Sequence, residues 1–213
     1  MARGKNLLVI YVLLLCGNAW AGLQQDYEAG RDAWRRGDVR AAISGLRNSA
    51  DSGHAPSQSL LGEILDRSEQ NEEAVRYFRL AAAQGDAEGH YGLAVMQLSG
   101  EGTARDTKLA RESMTRAATL GHKPAVNALA ISYMQGGLGL APADRESPEA
   151  LRWIDAASAN DLLAAIDRLA IVYRKGEFGL AVDVTRAAAF EARATAIRGA
   201  PAKITKKRSR PNG

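Results

Sequence analysis

Residues 129–140 read LAISYMQGGLGL and residues 169–180 read LAIVYRKGEFGL, with seven of twelve positions identical at a separation of 40 residues. The leucine that opens each copy has earlier counterparts in Leu61 and Leu93, so the four lie 32, 36 and 40 residues apart. Eight residues before each leucine stands a turn former: Gly53, Gly85, Gly121 and Asp161. Eleven residues before each of those stands an alanine: Ala42, Ala74, Ala110 and Ala150, and Ala188 with Gly199 repeats the same offset. One spacing recurring along the chain is the mark of a tandem repeat, in which each unit buries its apolar face against the next.

Each unit reads as two helices. In EEAVRYFRLAAAQG, residues Ala74, Val75, Phe78, Ala81 and Ala82 fall on one helical face, and Gly85 ends the run. Glycine suits that stop because the residue past the last turn often takes a left-handed backbone. Ala94, Ala130 and Ala170 follow the unit leucines, where a side chain little larger than a methyl lets a neighbouring helix approach. Units three to five place glycine-bearing loops between their helices, GEG (100–102), GGLG (136–139) and GEFG (176–179). Asp106 and Asp183 are expected to cap the helices that follow, and in unit four Ser147-Pro148 makes the better cap-and-first-position pair. No strand precedes these glycines and no Lys-Ser/Thr follows, so they are no phosphate cradle.

The two ends of the chain differ from the body. Arg3 and Lys5, the apolar run Leu7–Leu15 and the A-x-A pattern at Ala19-Trp20-Ala21 follow the grammar of a secretory leader, residues 1–21, cleaved after Ala21. A lipoprotein anchored through Cys16 is the competing reading, but that signal wants a small residue before the cysteine and finds Leu15. Cleavage after Ala21 removes the single cysteine, so no disulfide would support the fold in an oxidising compartment. The stretch 22–199 holds 21 basic against 24 acidic residues, while 200–213 holds five basic residues and no acid. The body and the basic tail therefore pose separate questions, and a tail with so little apolar content is expected to be disordered.

The pattern Ala125-x-x-x-Leu129-Ala130-x-x-Tyr133-x-x-Gly136, its copy from Ala165 to Gly176, and the helix ends Ala81-Ala82-x-x-Gly85 and Ala117-Ala118-x-x-Gly121 resemble the Sel1-like repeat, a relative of the tetratricopeptide repeat. Unit one, with Gly30, Gly37-Asp38 and Ala42-Ile43, looks closer to the tetratricopeptide form. The resemblance implies an all-α, right-handed solenoid of about five repeats, 22–54, 55–86, 87–122, 123–161 and 162–199, followed by a basic tail, 200–213. Departures are Ala for Gly after the leucine in units three to five, Gln97 in the tyrosine slot, and Asp161 for a terminal glycine. Secreted relatives linked to β-lactam binding carry a cysteine pair in each repeat, which the mature chain here lacks.

By the same resemblance, ligands contact fixed slots on the first helices, which would line a concave face. Those slots hold Tyr91, Val95 and Leu98 in unit three, Ile131 and Met134 in unit four, and Ile171 and Arg174 in unit five. Unit one adds Trp34, and unit two is polar, with Ser59, Glu63, Asp66 and Arg67. Such a strip either forms a groove for an amphipathic segment of a protein partner or packs between neighbouring first helices. His54 and His122 share one slot two units apart, and His90 stands alone, so the three histidines make no metal site. No nucleophile–base pair or cofactor motif stands out, and an enzyme is not expected. The tail suits peripheral contact with anionic membrane; nucleic-acid binding conflicts with export. The resemblance extends to exported regulators that restrain a membrane sensor and, alternatively, to scaffolds of envelope, polysaccharide-export or secretion complexes.

Overall fold

In a computed structural model, the structure describes residues 20–199. The leader reading up to residue 19 and the basic tail lie outside the described residues. Trp20 and Ala21, the end of the expected leader, open the first described helix.

The regular spacing of small and apolar residues becomes a series of helices. The first, α1, occupies 20–35. There follow α2 (Val39–Asp51), α3 (Ala55–Arg67), α4 (Asn71–Ala83), α5 (Ala87–Ser99), α6 (Thr107–Thr119), α7 (Lys123–Gln135), α8 (Pro148–Ala159), α9 (Leu163–Lys175) and α10 (Val184–Gly199). A 3-10 turn, Pro142–Glu146, precedes α8. Among the described residues there is no strand. From α2 onward each helix packs against the next, and α3 also touches α5 as α7 touches α9. Chain neighbours that are also packing neighbours are the signature of an all-α repeat solenoid.

Local chemistry sets the helix ends. Asp38, Asp86, Asp106 and Ser147 accept hydrogen bonds from first-turn amides of α2, α5, α6 and α8. The Asp183 carboxylate accepts from the Arg186 amide at the start of α10, 2.9 Å away. Each satisfies an amide that has no carbonyl partner within the helix. The turns after α2, α4 and α6 fall at Gly53, Gly85 and Gly121, whose φ values are 92°, 79° and 86°. Asp161 takes the same left-handed backbone without glycine's freedom (φ 61°), and Arg193 bonds both its carboxylate and the Ser158 carbonyl at 2.7 Å.

The repeat frame differs from the sequence expectation at its end. Ala42, Ala74, Ala110 and Ala150 are fully buried, but in unit five it is Ala187, not Ala188, that is buried. Gly199 is itself helical, the last described residue of the 16-residue α10. The buried alanine follows the helix start: Asp38, Gln70 and Asp106 precede theirs by four positions, as Asp183 does, and Ser147 precedes Ala150 by three. Counting back from a terminal glycine fails where the last helix runs longer.

Two cores form along the solenoid. Ala33, Leu46, Leu61, Ile64, Leu65, Tyr77, Phe78 and Met96 belong to the first. Ala94, Met114, Leu129, Ala130, Tyr133, Trp153, Ile154 and Leu169 belong to the second. They divide at α5, which gives Met96 to one and Ala94 to the other. Gln97, the polar residue in a tyrosine slot, is buried, and its side-chain oxygen accepts from the Ser113 hydroxyl at 2.9 Å.

Candidate functional site

Helical periodicity leaves the slot two residues after each unit leucine on the outward side of the first helix. Val95, Ile131 and Ile171 occupy it in units three, four and five and are 37%, 36% and 43% exposed. Three β-branched side chains at equivalent positions on α5, α7 and α9 make an apolar row in contact with solvent. Each already hides more than half of its surface, so complete burial in a partner is worth on the order of 1 kcal/mol each.

The remaining slot residues divide. Tyr91, Leu98 and Met134 are half-buried and pack against the second core. Tyr91 also lies on the His122 ring, centroids 4.5 Å apart. Trp34 is half-buried against the first core, and the Arg67 guanidinium lies 5.9 Å from its ring centre. Arg174 is exposed and paired with Glu191 of α10. The structure therefore keeps the slot residues on one series of helices, with Val95, Ile131, Ile171 and Arg174 presented to solvent and Tyr91, Leu98, Met134 and Trp34 half-buried.

Beside that row, where units two and three meet, lies a notch of about 370 Å³ lined by Glu63, Asp66 and Arg67 of α3, Phe78 of α4, and Glu88, Tyr91, Gly92 and Val95 of α5. Two glycines create it. A Cβ at Gly62 would stand 2.9 Å from the Phe78 ring, and one at Gly92 only 2.3 Å. The aromatic ring thus fits between two first helices and forms the notch floor. Burial, and then the charge of Glu101, raise the Asp66 carboxyl above its ordinary range.

A larger groove of about 710 Å³ runs along α6, lined by His90, Arg111, Glu112, Thr115, Arg116, Tyr133 and Glu149, with others. Sequence reasoning named Gly85, His90 and Tyr133 singly but missed the groove, because most of its lining comes from α6, which the repeat pattern does not bring together with them. Burial and the facing Glu149 push the Tyr133 phenol up to about 12. Burial, then the charge of Arg116, lower the His90 imidazole, with Asp86 opposing them.

The other histidines serve helix starts. His122 Nδ1 accepts from the Ala125 amide at 3.2 Å, which leaves its proton on Nε2, facing Glu88 at 2.9 Å. His54 is buried before α3, with Nδ1 2.8 Å from the Ser57 hydroxyl, and burial lowers its pKa. Among the described residues no three His, Cys, Asp or Glu side chains gather as a metal site, and no helix is long and apolar enough to cross a membrane.

These features define a helical repeat solenoid whose distinctive surface is a face of first helices, a shape suited to holding another chain. The Sel1 repeat profile matches residues 55–86, 87–122 and 123–162, just over half of the sequence. The chain belongs to the Sel1 repeat family, whose repeats are protein-interaction modules. Over 86 residues (39% of the chain) it is 34% identical to the rat protein DAP3-binding cell death enhancer 1, and covers 17% of that protein. The mouse protein of the same name is 28% identical over 141 residues, 65% of the chain and 28% of the relative. An uncharacterised protein of Neisseria meningitidis, NMB1327, is 31% identical over 121 residues, 57% of the chain and 25% of the relative. The chain thus spans under a third of each of these relatives. Among solved structures, the Escherichia coli protective antigen c5321 superposes with a TM-score of 0.70 at 22% identity, over 84% of this chain and 39% of that one. A Sel1 repeat protein from Oxalobacter formigenes gives 0.63 at 26% identity, over 73% of this chain and 45% of the other.

Proposed function

We propose that this chain is an exported protein-binding module whose first-helix face holds a segment of a partner, and that the partner is the exposed domain of a membrane sensor that the module restrains. The observation that carries the binding reading is the row Val95, Ile131 and Ile171, exposed at equivalent positions of successive units. An amphipathic helix or extended segment placing apolar residues at the repeat spacing would cover it. The DAP3-binding name of the rat and mouse relatives supports a protein rather than a small molecule as ligand. Export rests on the leader pattern of residues 1–21, and the sensor reading rests on the resemblance to exported regulators of that kind.

The test is in-cell crosslinking of the tagged chain, with a Val95→Glu/Ile131→Glu variant beside it. Both side chains lie on the outward side of their helices, so the variant should keep wild-type helicity, at a cost on the order of 1 kcal/mol per site for the apolar surface it gives up. Recovery of a sensor domain from wild type and its loss from the variant supports the proposal. Recovery of export or cell-wall components would replace the sensor by a scaffold role. An unchanged partner in the variant would move the binding surface elsewhere.

A further inference from the structure

The charge of the chain is divided between two places. Residues 55–104 hold three arginines against eight carboxylates, and residues 200–213 hold five basic residues and no acid. The structure gathers part of the acidic excess at one surface. Glu63, Asp66 and Glu88 line the notch between α3 and α5, whose apolar side is Phe78, Tyr91 and Val95. A second cavity, about 490 Å³, lies around the turn into α4 and is lined by Glu69, Gln70, Asn71, Glu72, Glu73 and Gly102. The loop after α5 closes against that turn: a Cβ at Gly102 would stand 2.3 Å from the Asn71 carbonyl oxygen.

Some of these carboxylates have cations. Glu63 holds Arg67 at 2.9 Å, Glu88 faces His122, and Glu73 holds Arg47 at 2.6 Å. Asp66, Glu69, Glu72 and Glu101 join no ion pair among the described residues. A half-buried carboxylate near a second one, with an aromatic floor alongside, is complementary to a segment that carries cations and one apolar side chain. The segment Lys203-Ile204-Thr205-Lys206-Lys207-Arg208-Ser209-Arg210 has that composition.

We infer that the notch and the acidic turn beside it receive the basic C-terminal segment of a second copy of this chain. Ile204 meets Phe78, Tyr91 and Val95, and the following lysines and arginines face Asp66, Glu101 and the turn carboxylates. Reach decides between the chain's own segment and another copy's. Packed helices lie about 8–10 Å apart, so units five and two are separated by roughly 30 Å. The five residues from 200 to Ile204 span at most about 17 Å when fully extended. The contact is therefore head to tail between copies, a heterologous association that propagates into a ring or an open chain.

Sedimentation velocity of the chain from residue 22 to 213, over a concentration series at low and high salt, tests this. Three proteins are compared: wild type, Asp66→Lys/Glu101→Lys, and Lys206→Glu/Lys207→Glu/Arg208→Glu. The wild type is expected to associate reversibly at low salt and to dissociate at high salt, while each variant associates about tenfold or more weakly. Mixing the two variants, whose charges are exchanged, should restore association. Should the lysine variant lose helicity, Asp66→Asn/Glu101→Gln gives the same direction with smaller loss. A wild type that stays monomeric throughout overturns the inference, as does association equal in the notch variant. Monomers whose tail crosslinks to their own notch overturn the assignment to a second copy. Tail-dependent binding to vesicles of anionic lipid without self-association makes the membrane the occupant instead.

Discussion

Units one and two differ from units three to five in how they fill the same frame. The first pair turns between helices through three residues, 36–38 and 68–70, and packs Leu46, Leu61, Ile64, Leu65, Tyr77 and Phe78. The junction between units one and two is joined by buried polar groups: Ser49 donates to Ser57 at 2.7 Å and Gln58 to the Ala50 carbonyl at 2.8 Å. The later units carry long loops and an alanine-rich core organised around Leu129, Tyr133, Trp153 and Leu169. Their loops turn inward, with Leu138 buried and Phe178 packed on the core, both at positive φ (54° and 59°) before a glycine. A repeat frame thus accepts two packing chemistries, and the first-helix slots change with them, from Glu63 in unit two to valine and isoleucine beyond.

The largest test of that division is a truncation in each core. Leu61→Ala and Trp153→Ala should each cost about 2–5 kcal/mol. Because units stabilise mainly their neighbours, hydrogen exchange should accelerate in α2–α4 for Leu61→Ala and in α7–α9 for Trp153→Ala. Equal loss of protection along the whole chain for either variant would merge the two cores into one.

The junction between the halves gives the next effect. Gly92→Ala forces a methyl into the Phe78 ring and should destabilise by about 1–3 kcal/mol through overpacking, against a gain of up to roughly 1 kcal/mol in helix propensity. In a Phe78→Leu background the same substitution should cost markedly less, as a double-mutant cycle followed by thermal unfolding would show. Equal costs in both backgrounds would mean that the ring does not set the spacing of α3 and α5.

A smaller effect comes from pH. His54 and His90 have folded-state pKa values below the ordinary 6.5. Above that value both folded and unfolded imidazoles are neutral, so stability is full. As pH falls through 6.5 the unfolded chain binds protons that the folded chain resists, and stability declines until the folded groups titrate in turn. Urea unfolding between pH 7.5 and about 5 should show this fall, reduced in His54→Gln. A flat profile would mean that burial of His54 between the first two units carries no proton linkage.

Much of the architecture was legible because it depends on local, repeated signals. Turn glycines at 53, 85 and 121, caps at Asp106, Ser147 and Asp183, and buried alanines in four units are short-range features that the sequence displays directly. Asp161 was legible as a turn but not in its backing by Arg193, which comes from a helix 32 residues away. Ala188 was misplaced by one because the frame of α10 is set by its N-cap and not by Gly199. The binding strip was legible as a set of slots, but its sorting was not. Whether Tyr91 rests on His122, or Trp34 beneath Arg67, depends on the angle between helices, which periodicity does not encode. The notch needed the cross-helix closeness of Gly92 and Phe78, residues that look unrelated in the linear chain.

The most direct test of the account places a photo-activated crosslinking residue singly at Val95, Ile131 and Ile171, and for comparison at Leu109 and Leu120. The last two are apolar and more exposed, at 46% and 52%, but belong to a second helix and the turn that ends it. If the first-helix face holds the partner, irradiation in cells joins one and the same protein to the first three positions and not to the other two. Crosslinks from Leu109 and Leu120 with none from Val95, Ile131 or Ile171 would contradict the account.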